Sequence, residues 1–272
     1  MRSRFFEGAT GALPGDLFAD LQNCSWPTDE SLTKIRGASE DRSMNDERSR
    51  LAKVQAVVFD VFGTLAEIPV KSRAYAKLFR YFAISGRLRE AGDSARVMSS
   101  NVPFADLPTL FEMNVSPKIL GVWEADLKTE LSSIILLPDA RKCLTALRAK
   151  GYKIGVCSNL TMAHAEPVMR ILPYELDAYG WSFEVGAVKP DPAIYQAVCT
   201  KLDCSPERVL MVGDTLLADH TGPRAFGMLG YHLSRKAPSP VPESVNSLLD
   251  ILPLLAGERE LKAQIKSITA KR

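Results

Sequence analysis

The chain has 272 residues, of which 46% are hydrophobic and 24% charged, as is ordinary for a globular protein with a sizeable core and one or two domains. Its formal net charge of +2 is too small to favour nucleic acid or an anionic membrane as a partner. No apolar run approaches the ~20 residues of a membrane span, and the five cysteines include no Cys-x-x-Cys pair. We therefore expect a cytoplasmic protein without a disulfide framework.

The first segment, residues 1–50, differs in composition from the rest of the chain. It is rich in Ser, Asp, Glu, Arg and Gly, and its aromatic residues follow no helical or strand period. This composition predicts a disordered N-terminal extension. Its acidic residues and its lack of an apolar stretch argue against a targeting peptide. Translation from Met44, directly before the predicted fold, is an alternative interpretation.

The first predicted strand is the apolar run Val54–Phe59, which is followed by Asp60 and by a Gly63-Thr64 turn. Such a β-branched run is typical of a strand that is buried on both faces. Open α/β sheets bind their ligands at the carboxyl ends of the strands, where Asp60 could act as a nucleophile, a metal ligand or both. The alternative is that Asp60 only caps a helix or holds a turn.

A helical segment follows, over residues 68–137. It has helix-like apolar patches, four prolines and no alternation typical of strands, so we predict a small helical insertion between the first strand and the rest of the sheet. Three of its aromatic residues, Tyr75, Phe79 and Phe82, are spaced at helical intervals. This spacing favours packing inside the insertion over a substrate pocket.

Strands and helices then alternate, which predicts a parallel sheet with right-handed crossovers. The further predicted strands are Tyr152–Cys157, Trp181–Val185, Val209–Val212 and Leu229–Leu233. The predicted helices cover about 138–150, 163–171, 193–202 and 216–226. The fold class is therefore α/β, with a sheet flanked by helices that is formed by residues 51–67 and 138–240. Residues 241–272 are predicted to form a helical tail, amphipathic over Ser244–Leu255.

Polar residues terminate or follow four of the predicted strands. They are Asp60, the pair Ser158-Asn159, Lys189, and Asp214 with Asp219. Because the carboxyl ends of parallel strands share one edge, we expect these groups to converge. A carboxylate could attack, Ser158 and nearby N–H groups could hold an oxygen anion, and Lys189 could balance charge. Three such carboxylates would repel one another unless a cation lay among them, and hard oxygen ligands suit Mg²⁺.

The chain resembles the haloacid dehalogenase (HAD) superfamily of hydrolases over residues 54–233. The segments that carry the resemblance are Phe59–Leu65, Cys157–Asn159, Val188–Pro192 and Val212–Asp219. The resemblance implies a Rossmann-like core, a covalent intermediate on Asp60, and a helical cap over residues 68–137 that closes over the site and selects small-molecule substrates. It implies catalytic roles for Asp60, Ser158 and Lys189, substrate contacts for Thr64, Ser158 and Asn159, and a Mg²⁺ site of Asp60, the Phe62 carbonyl, Asp214 and Asp219.

Purely structural roles stay open as alternatives for several of these residues. Asn159 could only cap a helix, Thr64 could only secure the turn, and Asp219 could orient Lys189 instead of contacting a metal ion. His164 and His220 are interpreted as solvated or capping residues.

Phe62 departs from the phosphatase pattern, because HAD phosphatases usually carry a second acid two residues after the nucleophile. An aromatic residue there resembles the 2-haloacid dehalogenase branch, which expels halide without a metal, and Tyr195 also fits that branch. Arg87 and Arg89 are candidates for the arginine that dehalogenases use. In contrast, Gly213–Asp219 is phosphatase-like. The favoured hypothesis is a Mg²⁺-dependent phosphatase on a small phosphorylated metabolite. The alternatives are a metal-independent 2-haloacid dehalogenase and a HAD-fold binding protein with weakened catalysis.

Overall fold

A six-stranded parallel sheet forms the centre of the computed structural model, which describes residues 40–256. The strands are β1 (Ala56–Phe59), β2 (Ala66–Glu67), β3 (Ile135–Leu136), β4 (Lys153–Ser158), β5 (Ala178–Trp181), β6 (Val209–Gly213), β7 (Leu229–Leu233) and β8 (Ser244–Val245). The sheet order is β5-β4-β1-β6-β7-β8, with every neighbouring pair parallel. β2 and β3 form a separate antiparallel ribbon. The predicted α/β class with a Rossmann-like parallel sheet is confirmed.

Eleven α-helices lie within residues 40–256, on both faces of the sheet and in the segment that is inserted after β2. They are α1 (Glu40–Leu51), α2 (Ala74–Ile84), α3 (Asp93–Met98), α4 (Leu107–Leu110), α5 (Pro117–Ser132), α6 (Pro138–Ala149), α7 (Met162–Ile171), α8 (Ser182–Val185), α9 (Pro192–Leu202), α10 (Gly222–Phe226) and α11 (Ile251–Leu255). Short 3₁₀ turns cover Phe104–Asp106, Pro206–Arg208 and Leu248–Asp250, and a π-helical segment covers Leu216–Thr221. No helix within residues 40–256 combines the length and the apolar character that a bilayer crossing needs.

Strand β1 lies at the centre of the core and is buried on both faces, as its sequence predicts. Val57 and Phe59 belong to the hydrophobic cluster that includes Leu144 of α6, whereas Val58 belongs to the cluster that includes Val198 of α9. This alternation follows from the period of two along a strand. The central position places the end of β1 between the ends of β4 and β6.

The third sheet strand was predicted at Trp181–Val185, and this prediction is wrong. The strand β5 ends at Trp181, and Ser182 begins the short helix α8. Gly180 made the true strand inconspicuous, since glycine weakens a strand pattern. A Cβ atom at Gly180 would lie 3.2 Å from the Val156 carbonyl oxygen and 3.2 Å from the Val198 Cβ, so close packing explains the glycine.

Both ends of the described region differ from the prediction. The helix α1 covers residues 40–50 of the segment for which the composition predicts disorder or weakly attached structure, whereas the predictions for residues 1–39 and 257–272 lie outside the described residues. Arg224 holds this helix by an ion pair to Glu47 at 3.1 Å, and Arg50 donates to the Met228 carbonyl. The predicted tail begins with a strand, β8, which is too short to show a period.

Residues 68–137 contain α2, α3, α4 and α5, and their aromatic side chains pack together as the helical spacing predicts. Tyr75, Phe79 and Phe82 are buried in one hydrophobic cluster with Phe104 and Phe111. The role of this insertion as a cap stays a prediction.

Candidate active site

Asp60 stands directly after β1, at the carboxyl edge of the sheet. Its backbone N–H donates to the Val212 carbonyl at 3.0 Å, which continues the pairing of β1 with β6. The chain then turns sharply, with Gly63 at a φ of +86°. A Cβ atom at residue 63 would lie 2.0 Å from the Asp214 Oδ2. The glycine therefore allows the turn after the first strand to lie directly against the carboxylate that follows β6.

Lys189 and Ser158 hold the Asp60 carboxylate. The Asp60 Oδ1 accepts hydrogen bonds from the Ser158 hydroxyl at 2.9 Å and from the Lys189 Nζ at 2.7 Å. The Lys189 Nζ also donates to the Asp219 Oδ1 at 2.6 Å. Burial opposes the charged amine, but the charges of Asp219 and Asp60 raise the pKa of Lys189 well above its ordinary value. The lysine is therefore a fixed positive charge shared by two carboxylates.

Three carboxylates crowd together at this point. Oxygen atoms of Asp60, Asp214 and Asp219 lie within 4.8 Å of one another. Burial, together with the charges of Asp60 and Asp219, raises the pKa of Asp214 to about 7. Burial raises the pKa of Asp219 to about 6, although Lys189 opposes the shift. A divalent cation among these oxygens would relieve the repulsion, and a set of carboxylate oxygens suits Mg²⁺.

Asp219 differs from the other two acids, because both of its oxygens accept hydrogen bonds. Its Oδ1 receives the Lys189 amine, and its Oδ2 receives the Thr215 N–H at 2.9 Å. Asp60 and Asp214 are therefore the better placed pair for a cation. Direct contact between Asp219 and a metal ion stays a prediction.

Asn159 supports Lys189 through the main chain. The Lys189 N–H donates to the Asn159 Oδ1 at 2.7 Å, and the Asn159 Nδ2 donates back to the Lys189 carbonyl at 3.0 Å. These two bonds give Asn159 a positioning role, and its predicted substrate contact stays a prediction.

Phe62 and Thr64 enter the site through the turn after Asp60. Phe62 is half-buried and Thr64 is fully buried. The Thr64 hydroxyl has no hydrogen-bond partner within residues 40–256. The predicted metal contact of the Phe62 carbonyl and the predicted substrate contact of Thr64 stay predictions.

Two residues that the sequence did not single out hold the backbone of the site. Arg235 donates to the Thr64 carbonyl at 2.8 Å and to the Gly63 carbonyl at 3.3 Å, and it forms an ion pair with Asp139 at 2.7 Å. His232 contacts the Asp214 carbonyl at 3.1 Å through its Nε2. His232 could have been found, because it lies at the carboxyl end of a predicted strand. Arg235 lies beyond that strand in no recognisable pattern.

His164 is fully buried, so its interpretation as a solvated or capping residue is wrong. Its Nδ1 hydrogen-bonds with the Thr161 hydroxyl at 2.8 Å, and its Nε2 lies 3.9 Å from the Glu130 Oε1. Its ring packs edge-on against Phe62, with centroids 5.6 Å apart, and stacks on Tyr75. Burial opposes ionisation of Glu130, but the nearby His164 ring and the hydrogen bonds from Ser72 lower its pKa. The histidine thus joins the turn after Asp60 to the helical insertion.

Three other candidates have structural partners. His220 is buried and pairs with Glu243 at 3.3 Å, which also corrects its interpretation as solvated. Tyr195 is fully buried and donates to the Ala218 carbonyl at 2.7 Å, beside Asp219. Arg87 forms two hydrogen bonds with Asp93 inside the helical insertion.

Comparison with known proteins identifies related sequences of two kinds. The family model of haloacid dehalogenase-like hydrolases matches residues 54–227. Glyceraldehyde 3-phosphate phosphatase of Methanothermobacter thermautotrophicus is 34% identical over 93 residues, which are 34% of this chain and 41% of the relative. (S)-2-haloacid dehalogenase 4A of Burkholderia cepacia is 24% identical over 233 residues, which are 75% of this chain and 95% of the relative. The chain thus aligns with about two fifths of that phosphatase and with most of that dehalogenase.

Solved structures of both kinds share the fold. A HAD phosphatase from Thermococcus onnurineus has a TM-score of 0.53 and 21% identity, over 75% of this chain and 99% of that one. A dehalogenase with an intermediate complex has a TM-score of 0.52 and 22% identity, over 75% of this chain and 98% of that one. At these identities the likeness concerns the fold alone.

Proposed function

The chain belongs to the haloacid dehalogenase-like hydrolase family, and from that premise we propose that it is a Mg²⁺-dependent phosphatase of a small phosphorylated metabolite. The observation that carries the proposal is the group of three carboxylates within 4.8 Å of one another. Asp219 has a partner in Lys189, but a metal-independent reaction gives no reason to keep Asp214 beside the attacking acid, whereas a cation would offset the repulsion between the two. The relatives named as sugar-phosphate phosphatases are consistent with this choice.

In this proposal the Asp60 carboxylate attacks phosphorus. Ser158 and Lys189 hold it in one orientation through its Oδ1. Mg²⁺, held by Asp60, Asp214 and the Phe62 carbonyl, with Asp219 as a further candidate ligand, would shield the charge of the phosphate from the attacking carboxylate. Lys189 would also stabilise the transferring phosphoryl oxygens, through the one N–H of its ammonium group that is donated neither to Asp60 nor to Asp219.

The reaction has two halves. In the first, an oxygen–phosphorus bond forms to Asp60 and the bond from phosphorus to the leaving group breaks. In the second, water attacks the aspartyl phosphate and releases inorganic phosphate, which regenerates the carboxylate. The Lys189 amine is held between Asp60 and Asp219 by hydrogen bonds of 2.7 Å and 2.6 Å, so in this proposal it acts as a fixed charge and transfers no proton.

The second candidate function is hydrolytic dehalogenation of a 2-haloacid, and Phe62 favours it. Halide leaves without a proton, so an apolar residue there would not slow the reaction. Two observations weigh against it. Asp214 lies beside Asp60 where a carboxylate substrate would be repelled, and Arg87, a candidate carboxylate-binding arginine, is already paired with Asp93 at 2.7 Å.

The test compares the two reactions on the same purified chain. We expect phosphate release from a panel of small phosphate esters in Mg²⁺, its loss in EDTA, and no halide release from 2-chloropropionate. Asp60→Asn, which keeps the size of the side chain, should abolish turnover. Halide release that is indifferent to EDTA would instead support the dehalogenase. Absence of both products across the panel, in a folded protein, would favour a binding protein with weakened catalysis.

We propose a cytoplasmic location for this activity, which rests on the cysteines. Four cysteines of the described region, Cys143, Cys157, Cys199 and Cys204, are free thiols, and the first three are buried. This usage is typical of proteins in a reducing compartment. The proposed partner is the small-molecule substrate, since the net charge of +2 favours neither nucleic acid nor membrane.

A further inference from the structure

The groups around Asp60 donate hydrogen bonds to its carboxylate and to that of Asp219. The Ser158 hydroxyl donates to Asp60, and the Lys189 amine donates to Asp60 and Asp219. Asp214 and Asp219 must be ionised to hold a cation, so neither carries a proton in the loaded site. A serine or threonine hydroxyl is as weakly acidic as the alcohol that it would have to protonate. The five polar side chains gathered at the site therefore supply no acid for a leaving group.

The turn after Asp60 carries a hydrocarbon side chain, Phe62, two residues after the attacking carboxylate. Phe62 is half-buried, and its ring packs against His164 with centroids 5.6 Å apart. The histidine has its own partners: its Nδ1 bonds with the Thr161 hydroxyl, and its Nε2 faces Glu130. Its hydrogen-bonding atoms are thus directed to α5 and to the start of α7. Phe62 presents an apolar ring on this side of the turn.

We propose that Phe62 determines specificity by restricting the enzyme to phosphates whose leaving group departs without a proton. Acyl phosphates are the chemical class that fits best, because a carboxylate leaving group has a conjugate acid with a pKa of about 4. A phenolate has a conjugate acid with a pKa of about 10, as for tyrosine, and an alkoxide leaves nearly as reluctantly as hydroxide, because the pKa of its conjugate acid is far higher still. This inference rests on the proposed phosphatase function.

The first half of the reaction balances without an acid. The Asp60 oxygen forms its bond to phosphorus, and the bond from phosphorus to the carboxylate oxygen breaks. The electron pair of that bond leaves with the carboxylate, which is stable as an anion in water and needs no proton. Water then attacks phosphorus, and its two protons pass to solvent and to the departing phosphate.

The magnitude of the effect decides between substrates. General acid catalysis typically contributes about 10²–10⁴-fold, and it does so where the leaving group is a poor one. Without a general acid, the hydrolysis of acyl phosphates should be hardly affected, whereas the hydrolysis of alkyl phosphates should be slower by most of that factor. The enzyme should therefore discriminate between substrates by the acidity of the leaving group at least as strongly as by the shape of the substrate.

The experiment measures kcat/KM in Mg²⁺ for acetyl phosphate, phenyl phosphate and glycerol 3-phosphate, with spontaneous hydrolysis subtracted. For the wild-type chain we expect kcat/KM to fall steeply along this series, by more than about 10²-fold from the first to the last. Phe62→Asp should raise the ratio of kcat/KM for glycerol 3-phosphate to kcat/KM for acetyl phosphate by about 10²-fold. Phe62→Asn, which has the shape of aspartate but no acidic proton, should keep the wild-type order.

Each outcome has a distinct meaning. Wild-type kcat/KM values for acetyl phosphate and glycerol 3-phosphate within tenfold of each other would overturn the inference and leave the phosphatase proposal standing. An equal gain from Phe62→Asn and Phe62→Asp would overturn it too, because the gain would then come from space. If neither variant folds, the wild-type series alone decides. Absence of phosphate from all three substrates would overturn the phosphatase proposal itself.

Discussion

Lys189 is the residue at which the charges of the site meet. It is buried, and its amine lies 2.7 Å from Asp60 and 2.6 Å from Asp219. A buried ion pair is weak evidence for stability, but removal of one partner leaves the other charges without compensation. The lysine therefore has two roles, since it orients Asp60 and it allows the acids to be buried at all.

We expect Lys189→Ala to lower the free energy of unfolding by about 3–5 kcal/mol, because Asp60 and Asp219 stay buried without their shared cation. Urea denaturation measures this. Lys201→Ala is the matched control, since that lysine pairs with Glu184 at the surface at 3.3 Å and such pairs contribute less than about 1 kcal/mol. Equal losses in the two variants would contradict the role assigned to Lys189.

Phe62 has a second consequence, in the half of the reaction that consumes water. With no base beside it, water attacks the aspartyl phosphate slowly, so this intermediate should accumulate when a good phosphoryl donor forms it fast. We expect acid quenching during turnover of acetyl phosphate to show a mass increase of one phosphoryl group on the intact protein. Asp60→Asn should show no adduct, and Phe62→Asp a smaller fraction. Steady phosphate release without an adduct would count against slow hydrolysis.

Several site residues could be predicted because each one follows a strand with a strong apolar signal. Asp60, Ser158 and Asp214 are of this kind, and a parallel sheet brings them together. Arg235 could not be predicted, since it acts on the Gly63 carbonyl across 172 residues of chain. His164 was misinterpreted because its surroundings come from α2 and α5, whose packing the sequence does not give.

At the scale of elements, the loop after β7 holds the turn after β1 in place through hydrogen bonds. Arg235 holds the carbonyls of Gly63 and Thr64, while Asp139 at the start of α6 holds the guanidinium. Asp139 also accepts hydrogen bonds from Ser247 and from the Leu248 N–H. Burial opposes ionisation of this acid, but Arg235 and Leu248 lower its pKa. Three separate segments thus fix the turn that follows Asp60.

We expect Arg235→Gln to reduce kcat by about tenfold with a smaller change in KM, because the turn that positions the reacting groups is loosened and even small displacements are costly in rate. Steady-state kinetics on the best phosphate donor separates kcat from KM. Arg170→Gln is the control, since Arg170 forms its ion pair with Glu166 on the exposed face of α7. A rise in KM with unchanged kcat would show that Arg235 acts on substrate binding instead.

The predicted elements were most accurate where hydrophobic periodicity was strongest. The strands β1, β4, β6 and β7 lie within two residues of their predicted bounds. The strand β5 was displaced because Gly180 interrupts its pattern. The helix α1 was missed because an ion pair of Glu47 and a hydrogen bond from Arg50 hold it more than an apolar face does. Local sequence predicts an element well only when burial alone determines it.

At the scale of the whole molecule, the crowded acids couple stability to pH. Folding raises the pKa of Asp214 to about 7 and that of Asp219 to about 6, so the folded chain binds more protons than the unfolded chain above pH 4. The contribution of these groups is then fully present below their unfolded pKa and is lost as pH rises through 6 to 7. His220 has the opposite effect on stability. Burial lowers its pKa, so its contribution becomes more favourable as pH rises.

We expect the melting temperature in EDTA to fall between pH 5 and pH 8, and this fall to shrink in Mg²⁺, which favours the ionised acids. Thermal unfolding at matched ionic strength measures both. Asp214→Asn should flatten the dependence of the melting temperature on pH in EDTA, whereas His220 titrates in both proteins. The difference in melting temperature between wild type and variant therefore isolates the contribution of the carboxylates. A fall that Asp214→Asn leaves unchanged would mean that other groups cause it.

Gly63 lies so close to Asp214 that a single added methyl group would displace the Asp214 carboxylate. With 2.0 Å between a would-be Cβ and the Asp214 oxygen, alanine at residue 63 would have to push that carboxylate aside. Such a replacement would preserve the net charge of the protein and yet disable cation capture. One added carbon atom would therefore be enough to stop phosphate release without removing any acid of the site.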